Sequence, residues 1–150
     1  MENIIKHFKA LVLCEQFIVT GSFALHMYGL TDQPKDLDII LVNPQPESID
    51  ALKRLMEANH CKTKPIEGSD LIAIIKHNDV KIDFFKSTKR QNTLQTTSFE
   101  MAKVSDIVAA KKRIGRLKDW EQLRRISNKI LSKDEFWHGL NTAKLDHSGY

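Results

Sequence analysis

Asp36 and Asp38 stand two residues apart at the head of the apolar run Leu37–Val42, where the composition predicts a central strand. Alternate strand residues point to one face with Cα atoms roughly 6.6 Å apart, so the two carboxylates share a face. Leu37 and Ile39 point the other way, toward a core. Paired acids at the entry of a buried strand repel and are costly to desolvate. A divalent cation resolves the conflict, and hard oxygen ligands suit Mg²⁺. The competing account is a polar strand entry, with Asp36 exposed beside Lys35.

Asp83 adds a third carboxylate. In Val80-Lys81-Ile82-Asp83-Phe84-Phe85, the residues Val80, Ile82 and Phe84 share one face and Asp83 lies on the other. Paired beside the 37–42 strand, Asp83 would join Asp36 and Asp38, and three acids on neighbouring strands outline a two-metal site. Unpaired, it would be a surface residue bridged to Lys81 or Lys76. Gly21-Ser22 falls between a strand run and a helix run. Such a junction offers backbone N–H groups to a phosphate, glycine permits close approach, and serine adds a hydroxyl. It is also an ordinary turn and cap. The pair forms neither a Walker A loop nor a G-x-G-x-x-G fingerprint.

These residues need elements to hold them. Ile4, Ile5, Phe8, Leu11 and Val12 recur at helical spacing, predicting a helix over about 3–14. Phe17-Ile18-Val19 reads as a buried strand, followed by a short helix from Phe23 to Tyr28 with Ser22 as N-cap and Gly29 as C-cap. After the 37–42 strand, Ile49, Leu52, Leu55 and Met56 mark a helix over about 47–58. Two β-rich runs, 71–76 and 80–85, flank His77-Asn78-Asp79 as a hairpin. A polar stretch over 87–98 separates this part from helices at about 104–114 and 118–131, broken at Gly115. The order gives a mixed sheet flanked by helices, an α/β or α+β fold with a C-terminal helical extension. The expected divisions are an α/β core over 1–90, a basic helical extension over 100–135 and a tail over 136–150, within one domain.

Composition narrows the class. The chain has 150 residues, 41% hydrophobic and 28% charged, with four Pro and six Gly, which excludes disordered, collagen-like and low-complexity classes. No apolar run reaches the ~18–20 residues of a membrane span, and the stretch Ala10–Cys14 is too brief for a secretory signal. Cys14 and Cys61 make no disulfide framework, so a cytoplasmic protein with reduced thiols is expected. Residues 1–90 balance 12 Lys/Arg against 12 Asp/Glu, whereas 91–150 hold 11 against 7, so the net +4 lies there. Between Lys103 and Lys133 the balance is 10 to 3, a local +7 that suits a polyanionic partner as well as it suits a solvated helical face.

Val104, Ile107, Val108 and Ile114 form one helical stripe, with Lys111 at its centre. A lysine there needs a partner or an exit to solvent. Asp119 opens the next helix beside a stripe of Trp120, Leu123, Ser127 and Ile130, where a bridge to Lys111 or Arg116 can form. Trp120, Phe136 and Trp137 read as packing residues, although an aromatic can stack on a base. The six histidines show no ligand spacing, His60-Cys61 makes no zinc site, and His26 reads as a packed or exposed helix residue.

Taken together, Ile18-Val19-Thr20-Gly21-Ser22, the gap to Asp36-Leu37-Asp38-Ile39, and the later Ile82-Asp83-Phe84 resemble the signature of the polymerase-β-like nucleotidyltransferase superfamily. The resemblance covers about residues 15–86. It extends more loosely to Asp106, Lys111, Arg116, Lys118 and Asp119, which are similar to a pattern in minimal, toxin-type members; Gln122 stands where those often carry a second acid. The resemblance implies Mg²⁺-dependent transfer of a nucleoside monophosphate from a triphosphate such as ATP to an acceptor hydroxyl. By the same resemblance, Asp36, Asp38 and Asp83 are catalytic and ligate two Mg²⁺ ions (or Mn²⁺), while Gly21 and Ser22 bind the nucleotide; from its place on the apolar stripe, Lys111 is expected either to snorkel to solvent or to bind the nucleotide by reaching a triphosphate or a carboxylate. The acceptor is left open among small molecules, tRNA and protein, as is a homodimer or a partner protein. Two alternatives are a non-catalytic nucleotide- or RNA-binding domain of this fold, and a toxin–antitoxin component acting on a partner protein or tRNA.

Overall fold

The computed structural model describes residues 1–59 and 65–141, with side chains as far as Ile130. The helix α1 (Glu2–Leu11) buries Ile4, Ile5 and Phe8. β1 (Gln16–Thr20) runs directly into α2 (Gly21–Met27), then come β2 (Asp36–Val42) and α3 (Pro46–Ala58). The hairpin β3 (Leu71–His77) and β4 (Val80–Ser87) turns at Asn78 and Asp79, both at positive φ. That double left-handed conformation matches a tight two-residue turn, which Asn and Asp tolerate. β5 (Thr93–Gln95) and β6 (Glu100–Ala102) follow, then α4 (Val104–Ile114) and α5 (Leu117–Asn141).

The strands form one mixed sheet in the order β3-β4-β2-β1-β6-β5. β2 lies at its centre, antiparallel to β1 and parallel to β4. Leu37, Ile39, Leu41, Ile82 and Phe84 are fully buried, and Phe8 brings α1 onto this side with its ring 5.3 Å from that of Phe84. In β2 and β4 one set of alternate residues is buried in the core and the other is more open, whereas β1 and β3 bury consecutive residues.

Two local expectations are corrected. Ser22 is not the cap of α2: the helix begins two residues earlier than expected, at Gly21, with Thr20 at the cap position and no side-chain cap bond. Gly29 does end the helix as expected, at φ +77°, with its N–H donated to His26 O and that of Leu30 to Leu25 O, a paired closure typical of a left-handed glycine. The polar stretch after Ser87 does not simply separate the sheet from the helices, because β5 and β6 lie within and just after it. β6 pairs in parallel with β1, and Phe99, Met101 and Ala102 are buried, so the sheet continues past residue 90 to Ala102. The Gln16 side chain fastens the intervening chain, donating to Gln91 O at 2.9 Å and accepting from Gln91 N–H at 2.8 Å.

The chain divides into two compact units, Met1–Ile107 and the residues from Val108 onward. The first holds the whole sheet. In the second, α5 runs as far as Asn141, through the first residues of the expected tail. Residues 142–150, the His60-Cys61 pair and the side chains of Phe136 and Trp137 lie outside what the structure describes.

The second unit centres on Asp119, which is only 2% exposed. Its carboxylate accepts from Arg116 Nε at 2.8 Å, Arg116 Nη2 at 3.2 Å and the Arg116 backbone N–H at 3.2 Å. The last of these is an acidic third helical residue reaching back to its own N-cap. Lys111 Nζ lies 3.8 Å from Asp119 Oδ1. Hydrogen bonds from Arg116 hold the Asp119 carboxyl below its ordinary value, against the opposing effect of burial, and the charge of Lys111 adds to the lowering. A lowered carboxyl stabilises the fold fully above its unfolded value near pH 4, and the contribution fades as pH falls through the folded value. Acid melting of the helical signal below about pH 4 should therefore flatten in Asp119→Asn. Asp119→Ala should cost roughly 1.5–3 kcal/mol, the range for a hydrogen bond to a charged group, by urea melts read by circular dichroism.

Candidate active site

Asp38 on β2 is in register with Asp83 on the parallel strand β4, and Asp36 with Lys81. Registered neighbours in a sheet point to the same face, about 4.8 Å apart along the backbone. Asp36, Asp38 and Asp83 thus share one face, as the alternation in both strands requires. On the other side of β2, Thr20 is in register with Asp38 and is followed by Gly21. All of these residues lie within the first unit.

Gly21 explains why a glycine must stand at this junction. Its φ is +67°, and a Cβ there would overlap Asp38 Oδ2 and lie 3.1 Å from Asp38 Cγ. The backbone of Gly21 is pressed against the Asp38 carboxylate, a proximity only a residue without a side chain allows. Ser22 is the next residue, in the first turn of α2, and is half-buried.

The three acids differ in environment. Asp36 is exposed and Asp38 half-buried. Asp83 has Lys81 Nζ 3.6 Å from its Oδ2, while its Oδ1 is buried with no hydrogen-bond partner on the protein. Burial pushes the Asp83 carboxyl above its ordinary value; Lys81 opposes the rise and the charge of Asp36 adds to it. The Lys81 bridge weighed from sequence is thus present together with the pairing to β2, not instead of it.

A divalent cation fits these residues chemically. The donors are hard oxygens on one face, and one of them is a buried oxygen that lacks a partner. Among the described residues, no three His, Cys, Asp or Glu side chains are already gathered into a metal-binding group. Like charge keeps ionised carboxylates apart, so the three acids share a face without closing on one another.

Lys111 is engaged inside the second unit, with Asp119, which accounts for a lysine in the middle of an apolar stripe. His26 approaches Thr31 O through Nδ1 at 3.0 Å and packs near Phe23. Sequence reasoning missed the proximity of Gly21 to Asp38, since a positive φ leaves no trace beyond the glycine itself. The placing of Lys81 opposite Asp36 was equally hidden, because only the register supplies it.

No protein-family model matches this sequence, and a search of curated proteins finds no match. By structure, the chain is similar to the crystal structure of a candidate nucleotidyltransferase from Thermotoga maritima. The TM-score is 0.53 at 14% identity, over 85% of this chain and 92% of that one. No helix among the described residues is long and apolar enough to cross a membrane. This likeness shows a nucleotidyltransferase-like fold.

Proposed function

We propose that this chain transfers a nucleoside monophosphate from a nucleoside triphosphate to an acceptor hydroxyl, with release of pyrophosphate. The observation that carries the reading is the register of Asp38 with Asp83, with Asp36 on the same face and Gly21 closed against Asp38. An acceptor oxygen forms a bond to the α-phosphorus as the bond to the pyrophosphate oxygen breaks. Asp36, Asp38 and Asp83 would hold the divalent cations, Mg²⁺ or Mn²⁺. When bound, these ions lower the acceptor's pKa and offset the charge on the leaving oxygens.

The remaining work falls to the chain itself. The unsubstituted Cα of Gly21 would let β- and γ-phosphates approach the backbone beside Asp38, with the Ser22 hydroxyl as a further donor. Asp83 would complete the ligand set or take the acceptor's proton at Oδ1, which has no protein donor to give up first. A nucleotide role for Lys111 would require its ammonium to exchange Asp119 for a phosphate.

The test is incubation of the full chain with each α-phosphate-labelled triphosphate and Mg²⁺, offering RNA, cell protein and small hydroxyl compounds as acceptors. Label should enter one acceptor class in step with pyrophosphate release and should require the cation. Absence of label in every class, with no pyrophosphate, would overturn the reading.

A further inference from the structure

The sequence suggests that α5 packs through a stripe containing Trp120, and the structure reverses this. Among its described side chains the buried ones are Asp119 and Ile126, seven residues apart on one face. Trp120 is 49% exposed, and Leu117 and Ile114 are more exposed still. At 100° per residue, Leu117 and Arg124 fall on the side of α5 opposite Asp119 and Ile126, with Trp120 on the flank next to them. The indole does not hang free: its Nε1 lies 3.7 Å from where a Gly115 Cβ would stand, so one edge rests against the α4–α5 turn.

The exposed charge of the second unit is one-sided, with Arg124 the α5 cation on the same side as the ring. Every residue from Lys112 to Lys118 is exposed. Among the described side chains of the second unit, the exposed cations are Lys112, Arg113, Arg116, Lys118, Arg124, Arg125 and Lys129. The exposed acid is Glu121, which leaves an excess of six positive charges (7 − 1). Asp119, the one acid between Lys111 and Trp120, is turned inward and engaged by Arg116 and Lys111.

We infer that this face of the second unit binds single-stranded nucleic acid, with a base stacked on Trp120 and the phosphates on Arg124, one turn along α5, and on Arg113 beside the α4–α5 turn. An exposed aromatic ring with cations beside it is the arrangement such strands use, because every base has a face to stack and every linkage a charge. A duplex keeps its bases inside and would leave the indole unused. A second copy of this chain would set like charges against each other. The inference does not rest on the transfer chemistry, since it uses none of the three carboxylates.

The test is fluorescence anisotropy of the full chain with a labelled single-stranded RNA of about twelve nucleotides, without metal or triphosphate, at about 50 mM salt. A DNA strand of the same sequence, its duplex and polyglutamate serve as competitors. Saturable binding should weaken about 5- to 150-fold in Trp120→Ala, the loss of one stacked base, and recover in Trp120→Phe. In Arg113→Ala/Arg124→Ala, the slope of log affinity against log salt should fall by about 0.7 for each phosphate no longer neutralised. Asp38→Asn should bind like the parent, which separates failure here from failure of the transferase reading. Three results would each overturn the inference. These are no saturable binding, equal binding by well-folded Trp120→Ala, and competition by polyglutamate or duplex as strong as by single strands; the last would point to an acidic protein or to unspecific charge.

Discussion

Asp38→Asn should reduce nucleotide transfer by more than about 100-fold while leaving the fold intact. Changing a residue that only supports a metal ligand typically costs about 10- to 100-fold, and Asp38 is proposed as a ligand itself. It lies in register with both Asp83 and Thr20, so its carboxylate sits between the other strand acid and the Gly21 junction. The amide keeps the shape and one acceptor oxygen but removes the charge that would hold a cation against Asp36 and Asp83. Stability should change little, because Asp38 is only half-buried and the amide keeps its shape. Pyrophosphate release and a thermal melt, run on the same preparation, separate the two effects. A variant that unfolds would show that Asp38 is structural; one that keeps full activity would remove it from the chemistry.

Gly21→Ala should be almost as damaging, and by a different route. The new methyl meets the Asp38 carboxylate, and the backbone at φ +67° disfavours any side chain. The conformational term alone is about 1–2 kcal/mol, and relief of the collision must move Asp38 or the start of α2. Both the melting temperature and the transfer rate should therefore fall, whereas Asp38→Asn lowers only the second. The double variant Gly21→Ala/Asp38→Ala tests the cause. Removing the carboxylate should restore part of the stability but none of the activity.

The contrast between the two units shows what a sequence can carry. β2 was legible because Asp36-Leu37-Asp38-Ile39 alternates in type as a half-buried strand alternates in side, so the face of the acids follows from the pattern. Asp83 was legible in its facing but not in its neighbour: only the parallel register of β4 on β2 sets it opposite Asp38. β5 and β6 were not legible. Each is three residues long, too short to display a period, and β6 is a strand because β1 offers it an edge.

α5 misled for a related reason. Hydrophobicity favours burying Trp120, but the Asp119 carboxylate can gather Arg116 and Lys111 only by turning inward, and that turns the indole outward. Ion-pair geometry overrode the apolar pattern. The start of α2 shows the same limit on a smaller scale, since a serine after a glycine reads as a cap until the chain is seen to bend at the glycine.

The proposed triphosphate site lies on the face of Asp36, Asp38 and Asp83 and requires a divalent cation. Thermal stability under a titration of Mg²⁺ and each nucleoside triphosphate, separately and together, tests it most directly, with Asp38→Asn as the control. A ligand at about 100 times its dissociation constant adds roughly 2.7 kcal/mol, which for a chain of this size raises the melting temperature by about 5–10 °C. The account predicts a shift of that order for at least one triphosphate, dependent on the cation and absent from Asp38→Asn. A melting temperature unmoved by every triphosphate in both Mg²⁺ and Mn²⁺, or a shift that survives in Asp38→Asn, would contradict it.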